Sequence, residues 1–184
     1  SKALNIPPQT STIASHFPKA VGTAFSIDRA KDLDIPERKI KSGSIVLCSF
    51  GDASVNHATA LSAFNTASLV TSQGGHMPII FICEDNGTGI SVPTDDRWIE
   101  KNFVNRPEVV YIQTDGLHLI DLIIKSRSAE QDCRINRRPI FLHMKTVRLM
   151  GHAGSDVEVG YRPLAEIVET EFNDPLLHSS RILM

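Results

Sequence analysis

Two oxygen-bearing side chains, Asp52 and Asn86, follow two short apolar runs in the sequence. The runs cover residues 45–48 and 79–83, are rich in β-branched residues and end in polar turns, which is typical of buried parallel strands. In an open α/β sheet, ligands bind at the carboxyl ends of such strands. A carboxylate, an amide and a backbone carbonyl are hard oxygen donors, and they suit Mg²⁺ or Ca²⁺ better than zinc.

This donor set leaves a divalent ion short of negative charge, and the phosphate oxygens of a ligand usually complete such a site. The helix predicted at residues 55–70 directs its positive end to the same place. The residues alone suggest a metal that bridges a diphosphate, but they are not specific for it. Asp and Asn at strand ends more often only cap a helix or fix a turn.

The elements that position these turns alternate between strand and helix, which predicts a parallel sheet with right-handed crossovers. We expect an α/β fold in which an open sheet carries helices on both faces, in three layers. Two more strands are predicted at 109–113 and 139–144. Helices are predicted at 18–29, 55–70, 117–131 and 163–170, with a short helix capped by Thr94 and another starting near residue 173.

Length and composition set limits on the class of protein. The 184 residues predict a single domain, and a net charge of -2 gives no reason to expect nucleic acid or an anionic membrane surface as a partner. No stretch approaches the ~20 apolar residues of a membrane-spanning helix. The start at Ser1 does not read as a signal peptide and lacks Met, so we expect part of a longer chain. The three cysteines are expected to be inert buried thiols in a reducing compartment.

Further segments resemble the alpha chain of the decarboxylating dehydrogenase of 2-oxo acid dehydrogenase complexes, and they occur in the same order as in that family. The run Gly51-Asp52-Ala53 followed by Asn86 is similar to the thiamine-diphosphate motif of that family. The matching segments are residues 15–22, 64–67, 78–81, 86–91, 114–116, 151–156 and 161–162. The resemblance implies the thiamine-diphosphate-binding fold, with residues 1–184 as its diphosphate-binding domain.

The resemblance also implies roles for individual residues. Asp52, Asn86 and the backbone carbonyl of Thr88 would hold Mg²⁺, which would bridge the two phosphates of thiamine diphosphate. Ile90 would wedge the two rings of the cofactor into a bent shape, and a stiff β-branched side chain suits that task. The remaining residues assigned to cofactor binding are His16, Phe17, Gly51, Ala53, Ser54 and His152.

Arg148 and His152 match the active-site loop of the family, which implies a catalytic role for both. The implied reaction is the oxidative decarboxylation of a 2-oxo acid, with transfer of the acyl group to lipoyl, and residues 86–94 look closer to the branched-chain members. The glutamate that activates the cofactor lies, in this family, on a beta subunit or a fused beta domain, and we find no match for it here. The implied partners are this beta half and a lipoyl-bearing acyltransferase core, in a dimer or heterotetramer. The implied location is a bacterial cytoplasm, with the mitochondrial matrix as the alternative.

Three positions depart from the pattern of the family. Ala53 stands where Gly is usual, and a left-handed backbone there would be strained. Asp85 stands where a first Asn is common, and would add negative charge near the metal. Ala153 replaces the serine that kinases phosphorylate in animal members, so we expect no such switch at this position.

Two alternatives therefore remain beside the dehydrogenase half-site. One is another thiamine-diphosphate enzyme, of the transketolase or decarboxylase type, against which residues 151–162 argue. The other is a non-catalytic assembly domain with a degenerate cofactor site, which Ala53 and Asp85 motivate.

Overall fold

The computed structural model describes residues 5–184, and its centre is a sheet of four parallel strands. The strands of the chain are β1 (Val46–Gly51), β2 (Ile79–Asp85), β3 (Thr88–Gly89), β4 (Val92–Pro93), β5 (Val110–Asp115) and β6 (Ile140–Lys145). In the large sheet the order is β1-β2-β6-β5, while β3 and β4 form a separate short antiparallel ribbon. The four strands predicted from apolar runs are thus confirmed.

Helices connect the strands, as the alternating pattern predicts. They are α1 (His16–Asp32), α2 (Ala58–Ser72), α3 (Trp98–Phe103), α4 (Leu119–Asn136), α5 (Leu164–Glu171) and α6 (Pro175–Leu183), with 3-10 turns at Asp52–Asn56 and Glu158–Gly160. The predicted cap at Thr94 is wrong, because α3 begins only at Trp98. The Thr94 hydroxyl instead donates to a carboxylate of the candidate site.

Side chains that alternate along the strands build two cores, one on each face of the sheet. On one face, α1, α2 and α3 cover an aromatic cluster that includes Phe17, Phe64 and Phe81. On the other face, α4 packs Ala129 and Cys133 against the isoleucine and leucine side chains of β2 and β6. Helices on both faces of a parallel sheet confirm the predicted three-layer α/β fold.

A buried ion pair ties the amino-terminal side of the sheet together. Arg137, which follows α4, donates through Nε and Nη2 to the two carboxylate oxygens of Asp28 in α1, over 2.7 and 2.9 Å. Its Nη1 donates to the carbonyl of Ser44, just before β1, and His76 contacts the same carboxylate. The pair therefore joins both helical layers to the start of β1.

The three cysteines are buried and free, as expected. Burial raises the pKa of the Cys48 and Cys133 thiols to about 12, and it also raises the pKa of Cys83. Thiols with such pKa values carry almost no reactive thiolate near neutral pH. Across residues 5–184, no helix has the length and apolar character needed to cross a membrane.

Candidate active site

The two candidate turns leave the sheet side by side. Their strands β1 and β2 are parallel neighbours, and Gly51 at the end of β1 is in register with Glu84 near the end of β2. The ribbon β3–β4 then folds back over the first turn, so that a Cβ added to Gly89 would lie only 2.9 Å from the Cβ of Ala53. The turn that carries Asp52 and the turn that carries Asn86 are therefore in direct contact.

Asp52 is a buried carboxylate, with an exposed fraction of 3%. The Thr94 hydroxyl donates to its Oδ2 over 2.5 Å, yet within residues 5–184 no cationic side chain forms an ion pair with it. Burial raises the pKa of Asp52, the hydrogen bond from Thr94 opposes that shift, and the charge of Asp85 adds to it. Such a carboxylate, short of positive charge and close to further oxygen donors, fits a hard divalent cation.

The backbone of Ala53 is right-handed. Ala53 lies in the 3-10 turn Asp52–Asn56 and is not among the residues with positive φ. The strain expected for a left-handed alanine therefore does not arise. The small Ala53 side chain has a different consequence, because its Cβ fills the space beside Gly89.

The second turn is built around Asn86, which is half-buried. Its Oδ1 accepts a hydrogen bond from the backbone N–H of Thr88 over 3.0 Å, and Gly87 supplies the positive φ of 73° that the turn needs. An amide oxygen has two lone pairs, so Oδ1 keeps one for another partner. Asn86 and Thr88 both line a cleft of about 300 Å³, together with Arg148.

No group of three or more His, Cys, Asp or Glu side chains that could hold a metal occurs among residues 5–184. A metal at this edge would instead depend on the mixed oxygen donors of the two turns. Sites of that kind suit Mg²⁺, which keeps few protein carboxylates and takes further oxygens from phosphate and water.

Ile90 occupies a strained and exposed position after β3. Its φ is 58° although it is β-branched, and 52% of the residue is exposed. Its carbonyl accepts a hydrogen bond from Nη1 of Arg148 over 2.8 Å. This contact helps to hold an apolar side chain in the solvent at the edge of the site, where the proposed wedge would stand.

Asp85 was expected to add negative charge near the metal, and the structure shows which groups hold that charge. Lys145 and His143 contact its Oδ2 over 2.6 and 2.7 Å, while its Oδ1 accepts from the N–H of Gly87. Burial alone would raise the pKa of Asp85, but the hydrogen bonds from His143 and Lys145 outweigh burial and lower the pKa to about 2. Lys145 thus offsets the charge of Asp85, but that charge still adds to the rise in the pKa of Asp52.

The loop after β6 is held to the site by a short chain of polar contacts. Nη2 of Arg148 donates to the Tyr161 hydroxyl, and that hydroxyl donates to Oδ2 of Asp156. The same carboxylate oxygen accepts from the backbone N–H of His152, whose side chain is exposed. The loop thus brings Arg148 to the Asn86 turn, while the imidazole of His152 faces solvent.

The other sequence-predicted residues are less closely grouped. Nε2 of His16, at the start of α1, lies 3.0 Å from the carbonyl oxygen of Ser49 near the end of β1. Phe17 has an exposed fraction of 0% and packs in the aromatic core, so its side chain does not line the site. Gly51 ends β1, and Ser54 is half-buried in the 3-10 turn that follows.

Three functional candidates were missed by sequence reasoning, namely Thr94, His143 and Lys145. Thr94 was predicted to cap a helix, and no signal in the sequence singled out His143. Lys145 carried one usable signal, because it directly follows the apolar run that predicts β6. Its pairing with Asp85 depends on the register between β2 and β6, in which these two residues are partners.

Comparison with known proteins identifies the family. A sequence model described as Dehydrogenase E1 component matches residues 2–184. The chain belongs to this family. Its two contacting turns at the carboxyl edge of the sheet are therefore the candidate active site.

Its curated relatives are alpha subunits of 2-oxo acid dehydrogenases. Pyruvate dehydrogenase E1 component subunit alpha, mitochondrial, of Dictyostelium discoideum is 28% identical over 174 residues, which is 94% of this chain and 42% of that protein. The 2-oxoisovalerate dehydrogenase subunit alpha, mitochondrial, of Homo sapiens is 26% identical over 161 residues, or 86% of this chain and 33% of that protein. The 2-oxoisovalerate dehydrogenase subunit alpha 2, mitochondrial, of Arabidopsis thaliana is 28% identical over 170 residues, which is 91% of this chain and 33% of that protein. The chain thus spans less than half of the length of each relative. Because its identities to the pyruvate and the 2-oxoisovalerate dehydrogenase subunits are similar, they do not distinguish the substrates.

Proposed function

We propose that this chain forms the diphosphate-binding half of a thiamine-diphosphate-dependent and Mg²⁺-dependent active site in a 2-oxo acid dehydrogenase. The observation that carries the proposal is the buried carboxylate of Asp52. It has no cationic partner within residues 5–184, and the next residue, Ala53, lies against Gly89 in the strand that follows the turn of Asn86. Family membership supports the same conclusion.

In this proposal Asp52, Asn86 and the carbonyl of Thr88 would hold the cation, which would supply positive charge for the diphosphate of the cofactor. Thiamine diphosphate, when bound, supplies the carbanion chemistry that releases CO₂ from a 2-oxo acid. Thr94 orients the Asp52 carboxylate through its 2.5 Å hydrogen bond, so that one oxygen is directed by the protein before the metal arrives. Preorganisation of this kind reduces the free-energy cost of ordering the site on binding.

Two residues at the rim complete the role of this half. Ile90 would contact the bent cofactor with its exposed side chain, and Arg148 keeps the Ile90 backbone in place. Arg148 also borders the cleft of about 300 Å³ with Asn86 and Thr88, where a guanidinium suits an anionic phosphate. The exposed His152 is free to meet an incoming acyl acceptor, which we propose to be a lipoyl group.

The proposed partners follow from the family, whereas the proposed substrate follows from residues 86–94 of this chain. We propose that a beta subunit or fused beta domain supplies the activating glutamate in a dimer or heterotetramer, and that a lipoyl-bearing acyltransferase core receives the acyl group. A branched-chain 2-oxo acid is the favoured substrate. Turnover of the full-length complex with 3-methyl-2-oxobutanoate, pyruvate and 2-oxoglutarate tests this choice, and a preference for either of the last two contradicts it.

The structure bears on both motives for the non-catalytic alternative. Ala53 has no left-handed strain, and Lys145 offsets the charge of Asp85, so both arguments for a degenerate site are weakened. We therefore infer an active enzyme once the beta half is present.

The decisive experiment replaces Asp52 in the full-length enzyme assembled with its beta half. We expect Asp52→Ala to abolish Mg²⁺-dependent binding of thiamine diphosphate in calorimetry while the fold is retained. Asp132→Ala, which removes a carboxylate on α4 far along the chain, serves as the matched control and should bind as the wild type does. Wild-type turnover of Asp52→Ala at limiting Mg²⁺ contradicts the proposed function.

A further inference from the structure

Asp85 directly precedes the proposed metal ligand Asn86, and both of its carboxylate oxygens accept hydrogen bonds from the protein. Oδ1 accepts from the N–H of Gly87 over 3.0 Å. Oδ2 accepts from Nε2 of His143 and from Nζ of Lys145. With an exposed fraction of 3%, this carboxylate has little access to anything else.

The partners of Asp85 are themselves fixed. His143 has an exposed fraction of 0%, and its Nδ1 lies 2.6 Å from the Tyr111 hydroxyl. A carboxylate only accepts, so Nε2 of His143 carries a proton, and in the neutral ring Nδ1 is left to accept from Tyr111. Lys145 pairs with Asp85 in the strand register and also donates to the carbonyl of Asp96. A buried chain from β5 through β6 thus orients the carboxylate at the end of β2.

Asp52 differs from Asp85 in the respect that matters for a metal. Both residues are 3% exposed. Asp52 directly follows β1, and Asp85 is the last residue of the neighbouring strand β2. Asp85 has Lys145 and His143 as partners, whereas no ion pair to Asp52 occurs in the described part of the chain. The two acids therefore have separate tasks.

We propose that Asp85 is a positioning residue that holds the turn of Asn86, Gly87 and Thr88 in its metal-binding shape and does not itself bind the metal. The backbone N–H of Gly87 donates to Asp85, which ties the start of the turn to the end of β2. The backbone N–H of Thr88 donates to Asn86 and closes the rest of the turn. His143 and Lys145 act by keeping the Asp85 carboxylate oriented, and Lys145 also offsets its charge. This inference rests on the proposed function, because the metal is the one proposed there.

The size of the effect follows from the bond that is lost. A hydrogen bond from a backbone N–H to a buried carboxylate, once removed, leaves the turn free to relax before binding. We expect metal affinity to fall about 10- to 100-fold, the range that one such bond to a charged group supports.

Two double variants of the full-length enzyme with its beta half isolate this bond. Asp85→Asn with Lys145→Met removes the ion pair as a unit but keeps an oxygen that can accept from Gly87. Asp85→Ala with Lys145→Met removes the same charges and the acceptor as well. Because net charge is equal in the two variants, a difference in metal affinity reports the loss of the side-chain acceptor, which serves both Gly87 and His143, and not electrostatics.

The probe is Mn²⁺, titrated with thiamine diphosphate present and followed by electron paramagnetic resonance, since Mn²⁺ shares the oxygen ligands of Mg²⁺. We expect the Asn variant to bind Mn²⁺ within about fivefold of the wild type, and the Ala variant about 3- to 10-fold more weakly than the Asn variant, the range for a hydrogen bond to a neutral acceptor. Equal affinities in the two variants overturn the inference. Asp28→Ala, which removes another buried carboxylate but lies at the far side of the sheet, should lower thermal stability and leave the Mn²⁺ affinity of the folded protein unchanged.

Hydrogen exchange gives a second readout that needs neither metal nor activity. In the wild type the Gly87 amide should exchange slowly, and in the Ala variant it should exchange faster while amides within β2 stay protected. An unprotected Gly87 amide in the wild type contradicts the inference even if the Ala variant fails to fold. If the wild type binds no Mn²⁺ with thiamine diphosphate, the proposed function fails, and the exchange result still decides whether Asp85 holds the turn.

Discussion

The buried pair between Asp28 and Arg137 should contribute strongly to the stability of the domain. The side chains of both residues are only 12% exposed, and the guanidinium donates two hydrogen bonds to the carboxylate. Asp28→Asn leaves the positive charge of Arg137 buried without its counter-charge. Breaking a buried pair in this way costs about 3–5 kcal/mol, and we expect the free energy of unfolding to fall by about 3 kcal/mol because asparagine keeps one acceptor.

The effect should depend on pH in a defined direction. Burial alone would raise the pKa of Asp28, but the hydrogen bonds and charge of Arg137 outweigh it, so the pKa is lowered in the folded state. The stabilisation is therefore complete above the unfolded pKa of about 3.9, and it is lost as the pH falls through the lower folded value. The difference in stability between wild type and Asp28→Asn should shrink over that acidic range.

The assay is the urea dependence of hydrogen exchange in peptides from β1 and β6 of the full-length protein, which reports the opening of this domain alone. Asp132→Asn is the matched control, since its partner Arg138 has 44% of its side chain exposed, and such a pair contributes about 0–1 kcal/mol. The reasoning is refuted if Asp28→Asn destabilises the domain no more than Asp132→Asn does. A difference that stays constant down to pH 2.5 refutes the pH argument separately.

Three further predictions concern the site. Thr94→Val removes the hydroxyl that donates to Asp52 while keeping the shape of the side chain, and calorimetry should show about 10-fold weaker Mg²⁺-dependent cofactor binding; unchanged binding contradicts the orienting role. Gly89→Ala brings its Cβ to 2.9 Å from that of Ala53 and should weaken cofactor binding, whereas adding Ala53→Gly should restore it; no rescue in the double variant argues against this steric cause. Arg148→Ala should speed hydrogen exchange in the loop at 149–161 and at the Ile90 end of the second turn, because it removes two contacts that join them; unchanged exchange by mass spectrometry excludes that joining role.

Much of the fold is encoded locally. The apolar runs before Asp52 and Asn86 predict β1 and β2 because β-branched residues in short runs favour buried strands. Helix ends were less well predicted, as α1 begins before and ends after the predicted residues 18–29. The order β1-β2-β6-β5 was not predicted, since strand pairing depends on how the crossovers pack and not on the strands themselves.

The site divides in the same way. Asp52 and Asn86 were recognisable because each directly follows a strand, and adjacent strands bring such positions together at one edge. The roles of Thr94 and Lys145 were not recognisable, because Thr94 reaches Asp52 over a separation of 42 residues and Lys145 reaches Asp85 over 60. Contacts of that kind follow from register and turn geometry, which local sequence does not encode.

The strands, the oxygen donors at their ends and the resemblance that links them to a diphosphate cofactor can be read from residue type and order along the chain. The surroundings of each acid depend instead on the tertiary fold. It placed Lys145 and His143 against Asp85 and gave Asp52 no such partner in the described chain. Two acids of equal burial were thereby assigned different tasks, because the energy of a buried charge depends on the groups that the fold brings within hydrogen-bonding distance.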